Sequence, residues 1–225
     1  ITYFAIILTG ASVLGNLSQT FIRARASWTR IREVLECEPS IKDGSLAGET
    51  DAAALSTGEL EFRDVSFAYP DSQANVLEGI TFSVHKGQTL GIIGSTGCGK
   101  TTLANLIPRF FDTDSGSVLI DGIDVKDYGL GELREKVSYV LQGSELYSRS
   151  ILENITWGSA GAPPEDVQMA AEAAQAADFI AAAPDGHDTQ VTDGGPSLSG
   201  GQKQRTALAR APLQDCEILI LDDST

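Results

Sequence analysis

Gly94-Ser95-Thr96-Gly97-Cys98-Gly99-Lys100-Thr101 is the stretch on which the reading of this chain turns, because it fits the phosphate-binding pattern G-x-x-x-x-G-K-[ST]. Its glycines let the backbone curl so that successive N–H groups point inward at a phosphate, and a following helix adds the partial positive charge of its N-terminus. In such a loop Lys100 reaches the β- and γ-phosphates of a nucleotide, and the Thr101 hydroxyl is a magnesium ligand. Thr102 completes the candidate nucleotide contacts. By average composition this pattern arises by chance in about one chain of this length in a hundred. The flanks make chance rarer still. Thr89 to Ile93 is a short apolar run of the kind buried in a central sheet, and Thr102 to Phe111 reads as an apolar helix.

Upstream, Glu59 to Phe67 alternates apolar and polar residues, and Val76 to Val84 gives a second segment of the same kind, so two sheet layers are expected to meet here. Downstream, Leu198-Ser199-Gly200-Gly201-Gln202 opens a helical stretch running to Ala211. An exposed Ser-Gly-Gly at a helix start is an anion-binding geometry, and it is equally an ordinary serine cap followed by flexible glycines. Pro212 falls late in this stretch and is read as the point where the helix ends. Glu217 to Leu221 is a buried-strand pattern ending in Asp222-Asp223, where a magnesium-orienting carboxylate belongs in a phosphate-loop ATPase.

Together these motifs resemble the ABC ATPase family, and the resemblance covers Leu60 to Thr225. Gly94 to Thr101 corresponds to its Walker A loop, LSGGQ at 198–202 to its signature, and ILILDD at 218–223 to its Walker B strand. By this resemblance Tyr69, in FAYP, is the aromatic that stacks on adenine, and Gln142, in YVLQG, is the glutamine that touches magnesium and senses the membrane domain. The implied fold is an α/β phosphate-loop NTPase: a RecA-like parallel sheet core, an antiparallel β subdomain and a helical subdomain. ELYSRSILENITWG, EAAQAADFIAAAPDGHDT and VTDGG, between Ser144 and Pro196, resemble exporters in particular, with the helical subdomain spanning about 144–211.

The opening segment bears on the same question. Ile1 to Ile22 carries no charge and is followed by Arg23, Arg25, Arg30 and Arg32. That order suits either a membrane span with its basic flank on the cytoplasmic side or a soluble amphipathic helix, since Thr9, Ser12, Asn16, Ser18, Gln19 and Thr20 make its second half polar. The family resemblance favours the former: residues 1–35 as the end of the last transmembrane helix and its cytosolic extension, 36–58 as a linker rich in small and acidic residues, and 59–225 as the ATP-binding domain. The implied setting is the plasma or inner membrane, multi-pass in the full-length protein, with the ATP-binding domain cytoplasmic.

Composition bounds the alternatives. The chain has 225 residues, 42% of them hydrophobic, enough for one good core. Its formal charge of −15 argues against a nucleic-acid partner, which would need a basic face to displace counterions. Cys37, Cys98 and Cys216 lie too far apart to suggest a zinc site or a disulfide framework, which favours a reducing compartment. The chain opens on Ile1 and its one methionine is Met169, so a piece of a longer protein is expected. By family comparison the loop, strands and switch histidine that follow Walker B are not among its residues, and His85 and His187 are read as surface groups. The polypeptide by itself is therefore expected to bind ATP weakly and to hydrolyse it poorly or not at all.

The mechanism implied by the resemblance uses two such domains closed head to tail. Each ATP, with Mg2+, lies between the Walker motifs of one domain and Ser199, Gly200, Gly201 and Gln202 of the other, and closure reorients the membrane helices to move a small molecule, lipid or peptide. Lys100, Gln142 and Asp223 are the candidate catalytic residues, and Thr101, Gln142 and Asp222 the candidate metal ligands. Asp223 departs from the family, which usually has glutamate there. Aspartate is shorter by about 1.5 Å, and misplacing a catalytic group by about 1 Å costs on the order of a hundredfold in rate. A slow or degenerate site within a heterodimer is the favoured expectation; a regulatory ATP-binding subunit and a non-transport ABC ATPase are the alternatives.

Overall fold

In the computed structural model, residues 2–48, 58–70, 72, 74–141, 146–159, 161–191, 198–214 and 216–222 are described. The chain divides into two units, residues 1–40 and 41–225. The first is built on α1 (Thr2–Leu35), a continuous helix of 34 residues that runs through the arginine cluster. Arg32 and Glu36 pair at its end, Nε to Oε1 2.8 Å. Among the described residues no helix is long and apolar enough to cross a membrane. The polar side chains from Thr9 to Thr20 dilute the apolar run of α1.

The second unit begins with an antiparallel sheet. Its strands are β1 (Leu60–Phe67), β2 (Leu77–Val84), β3 (Ser115–Ile120) and β4 (Ile123–Asp124), in the order β2-β1-β3-β4. The alternation seen in the sequence places Phe62, Val65 and Phe67 on the buried face of β1, where they meet Leu103, Leu106 and Ile107 of the helical stretch behind the phosphate loop. That stretch is α2 (Lys100–Leu106), which begins earlier and ends earlier than the expected 102–111. The chain turns where Arg109 adopts a left-handed φ of 53°. Arg109 pays for that conformation with a bidentate contact to Asp112, Nε to Oδ1 2.7 Å, and a bond from its guanidinium to the Lys126 carbonyl at 3.1 Å.

After α3 (Leu130–Lys136), β5 (Val137–Val140) pairs in parallel with β6 (Ile218–Leu221). Ile218 and Ile220 pack against the first core, while Leu219 and Leu221 are each 52% exposed on the other face. The run 89–93, expected as a central strand, is not in a strand, and Ile93 is 98% exposed. An apolar run reports a tendency to be buried, but a strand also needs a neighbour's N–H and C=O groups, and no strand among the described residues pairs with it.

A second core forms from α4 (Ile151–Ile155), α5 (Pro164–Ala173), α6 (Ala177–Ala181) and α7 (Gly200–Leu208), with Ile151, Ile155, Val167, Ala171 and Ile180 at its centre. Ser150 starts α4 with a capping box, in which its hydroxyl accepts from Glu153 N and the Glu153 carboxylate accepts from Ser150 N. Helix α7 starts earlier and stops earlier than the expected 202–211, ending at Leu208, and Pro212 lies beyond it in a short 3-10 turn, 211–213. The segment read as a linker is docked in part. Gly44 N donates to the Tyr128 carbonyl, Leu46 N to the Asp127 carbonyl, and Leu130 N to Asp43 Oδ1.

A buried ion cluster ties the two sheets together. Lys136 Nζ, at the end of α3, donates to Asp121 Oδ2 at 2.9 Å and to Glu217 Oε1 at 2.7 Å. Asp121 also accepts from the backbone N–H groups of Gly58 and Glu59. Burial disfavours the Lys136 ammonium, but the bonds to Glu217 and Asp121 outweigh it and hold its pKa above the ordinary value. Glu217 immediately precedes β6, so this cluster fixes where β6 starts and hence where its far end lies.

Candidate functional site

The phosphate loop takes its shape from glycines at two positions. Gly97 has φ 82° and Gly99 φ 96°, a left-handed region that costs an L side chain about 1–2 kcal/mol. A Cβ on Gly99 would also come within 2.9 Å of Leu77 Cδ2. Gly99 is the cap of α2 and has no side chain with which to accept from the helix's first N–H groups. Cys98 N closes the turn on the Ser95 carbonyl at 3.2 Å. Lys100 Nζ lies back over the loop, donating to the carbonyls of Gly94 (3.0 Å) and Ser95 (3.1 Å). An ammonium bonded to two carbonyl oxygens beside the loop's N–H groups suits an anion.

The end of β6 meets the start of α2. Asp222 N donates to the Val140 carbonyl at 3.1 Å, continuing the parallel ladder by one residue and aiming the side chain at the loop. Thr101 Oγ1 donates to Asp222 Oδ1 at 3.2 Å, and the Tyr139 hydroxyl donates to Asp222 Oδ2, also at 3.2 Å. Asp222 is 7% exposed. A buried carboxylate with a hydroxyl oxygen beside it is a set of hard oxygen donors of the type magnesium takes, so Thr101 and Asp222 fit the metal expected of them. Burial pushes the Tyr139 phenol well up, with the Asp222 carboxylate adding to it, so the phenol stays a donor.

Tyr69 is brought to the same place. Its hydroxyl shares a hydrogen bond of 3.0 Å with Thr102 Oγ1, and its ring packs edge-on against Phe67 and Phe111 at 5.1 and 5.2 Å. A cleft of about 570 Å³ runs between residues 89–92 and β6, reached by Lys100 and Asp222. Leu90, Ile92, Leu103, Ile218 and Ile220 line it together with Lys86, Gln88 and Thr89, so it is a gap of mixed polar and apolar character beside the loop.

Ser199, Gly200, Gly201 and Gln202 lie elsewhere, at the start of α7. Ser199 and Gln202 form a capping box: Gln202 N donates to Ser199 Oγ (3.3 Å) and Ser199 N to Gln202 Oε1 (2.8 Å). Among the described residues no hydrogen bond joins this turn to the phosphate loop. Ser199 is thus a helix cap, and among the described residues a Cβ at Gly200 or Gly201 would meet nothing within 4 Å. Gln142 and Asp223, expected as catalytic residues, lie outside the described residues. Sequence reasoning missed Tyr139, whose contact with Asp222 spans 83 positions. The only hint was its place at the exit of a strand, beside the glutamine.

Residues 77–225 match the family described as ABC transporter, and the chain belongs to that family. The domain it carries is the family's ATP-binding α/β domain. It is 45% identical over 213 residues to an ATP-dependent lipid A-core flippase of Pseudomonas fluorescens, covering 94% of this chain and 35% of that protein. It is 41% identical over 210 residues to YgaD of Bacillus subtilis, named as a multidrug export ATP-binding/permease protein, covering 93% of this chain and 36% of that protein. The structure of a bacterial Atm1-family ABC exporter with ATP bound superposes with a TM-score of 0.70 at 40% identity, covering 74% of this chain and 29% of that chain. The chain thus spans about a third of the length of the curated relatives it resembles.

Proposed function

We propose that this chain is the ATP-binding part of an ABC exporter subunit, which binds Mg2+-ATP at the phosphate loop and couples its binding and hydrolysis to the export of a small molecule, lipid or peptide. The observation that carries this reading is the meeting of Thr101 and Asp222 at 3.2 Å, beside a loop that holds Lys100 over its own carbonyls. The loop N–H groups and Lys100 bind and orient the phosphates, while Tyr69, whose hydroxyl meets Thr102, supplies the aromatic face for adenine. Thr101 and Asp222, with Gln142 by the family resemblance, would hold a magnesium ion, which would supply charge neutralisation at the phosphates. The turn at Gly200 and Gly201 serves the nucleotide of a second subunit: among the described residues a Cβ at either glycine would meet nothing within 4 Å, which leaves room there for another surface. The relatives named for lipid and drug export support a membrane-embedded, multi-pass whole protein, with its ATP-binding domain on the cytoplasmic side.

The test uses the full-length subunit assembled in lipid. Lys100→Ala is expected to weaken Mg2+-ATP binding by about 10- to 100-fold, the worth of a charge-assisted contact of roughly 1.5–3 kcal/mol. Unchanged affinity would remove the basis for the reading. A second reading, a heterodimer in which this subunit's own site turns over slowly, rests on Asp223 in place of glutamate. Under it, Asp223→Glu raises ATP turnover of the assembled pair, and no increase counts against it.

A further inference from the structure

Asp222 is fixed at three points. Its backbone is held by Val140, Oδ1 receives the Thr101 hydroxyl and Oδ2 receives the Tyr139 hydroxyl. The two side-chain donors come from different elements, α2 and β5, so together they set the plane of the carboxylate and not merely its position. Tyr139 is not a loosely placed donor. Its ring stacks on Phe110 with centroids 6.0 Å apart and planes at 23°. The Arg134 guanidinium sits over Phe110 at 5.6 Å. Arg134 Nε in turn donates to the Pro108 carbonyl at 3.4 Å. With one face of its ring taken by Phe110 and its hydroxyl committed to Asp222, Tyr139 has a role directed at the carboxylate.

We infer that Tyr139 is a positioning residue for the metal-holding carboxylate: by donating to Asp222 Oδ2 it fixes the direction in which Asp222 offers its remaining lone pairs to a divalent cation. The inference rests on the reading of Asp222 as a metal residue given above. Partners one step removed from a metal orient its ligands, and losing them costs about 10- to 100-fold in metal affinity.

The experiment takes the full-length subunit in lipid with a non-hydrolysable ATP analogue and uses Mn2+ as the probe, read by electron paramagnetic resonance. Wild type, Tyr139→Phe and Asp222→Asn are compared. Phenylalanine keeps the ring and its stack on Phe110 and removes only the O–H. Tyr139→Phe is expected to weaken Mn2+ binding about tenfold, while affinity for the analogue without metal stays within about twofold, since the phosphate loop is untouched. Wild-type Mn2+ affinity in Tyr139→Phe, with Asp222→Asn weakened, overturns the role of Tyr139 and leaves Asp222 as a metal residue. If Asp222→Asn also keeps wild-type Mn2+ affinity, the metal reading of Asp222 fails and the inference falls with it. Equal losses of metal-free and metal-dependent binding in Tyr139→Phe would show a structural role and overturn it too.

Discussion

The two glycine-rich helix starts of this protein look alike in sequence and are built differently. At α7, Ser199 and Gln202 satisfy each other's backbone N–H groups, so that end is complete within the chain. At α2, Gly99 provides the turn but no side chain caps the helix, and a lysine and a threonine stand there instead. A helix end left without a cap costs stability unless something else meets its N–H groups. The contrast supports the proposed reading, in which α2 meets a ligand at its start whereas α7 carries its own cap.

The contrast should break most completely when the support beneath α2's site is removed. Lys136→Met leaves Asp121 and Glu217 buried without their cation and is expected to destabilise the chain by about 3–5 kcal/mol, measured by urea denaturation. The same pair sets a pH signature. Because the folded pKa of Lys136 is raised above 10.5, its contribution is fully present below that pH and lost as pH rises through the folded value. Wild type should therefore lose stability in strongly alkaline solution by a step that Lys136→Met lacks.

A smaller effect sharpens the difference at the caps themselves. Gly99→Ala forces an L residue to φ 96° and pushes its methyl against Leu77, for an expected loss of about 1–2 kcal/mol. Ser199→Ala removes the capping hydroxyl of α7 and should cost about 1 kcal/mol. The smallest change has the opposite sign. A Cβ on Gly201 meets nothing within 4 Å, so Gly201→Ala should stabilise the isolated chain by about 0.5–1 kcal/mol. If both glycines serve a second subunit's nucleotide, the same substitution lowers ATP turnover of the assembled protein while raising stability. A variant that gains stability and keeps full turnover would leave the open turn without a function.

Much of this arrangement is legible in the residues. Strand β1 follows from its alternation and the loop from its glycines and lysine. One expectation goes astray. The run 89–93 is apolar enough for a central strand, but among the described residues no strand pairs with it. A local pattern cannot settle a matter that belongs to the surroundings. The docking of residues 43–46 on the 127–130 turn is likewise invisible in a stretch whose composition reads as a linker.

What the sequence determined alone was the chemistry available: a loop able to bend around phosphate, an ammonium, a hydroxyl, and a carboxylate at the end of an apolar strand. These are properties of residue type and near spacing, set by φ preferences and by charge. Only the tertiary structure decided that Thr101 and Asp222, 121 positions apart, share a hydrogen bond. Only it set Tyr139 against that carboxylate and buried Lys136 between two acids. The reason is physical. A hydrogen bond between distant residues depends on which strands pair and in what register, and that is settled by the packing of whole faces rather than by any short run of sequence.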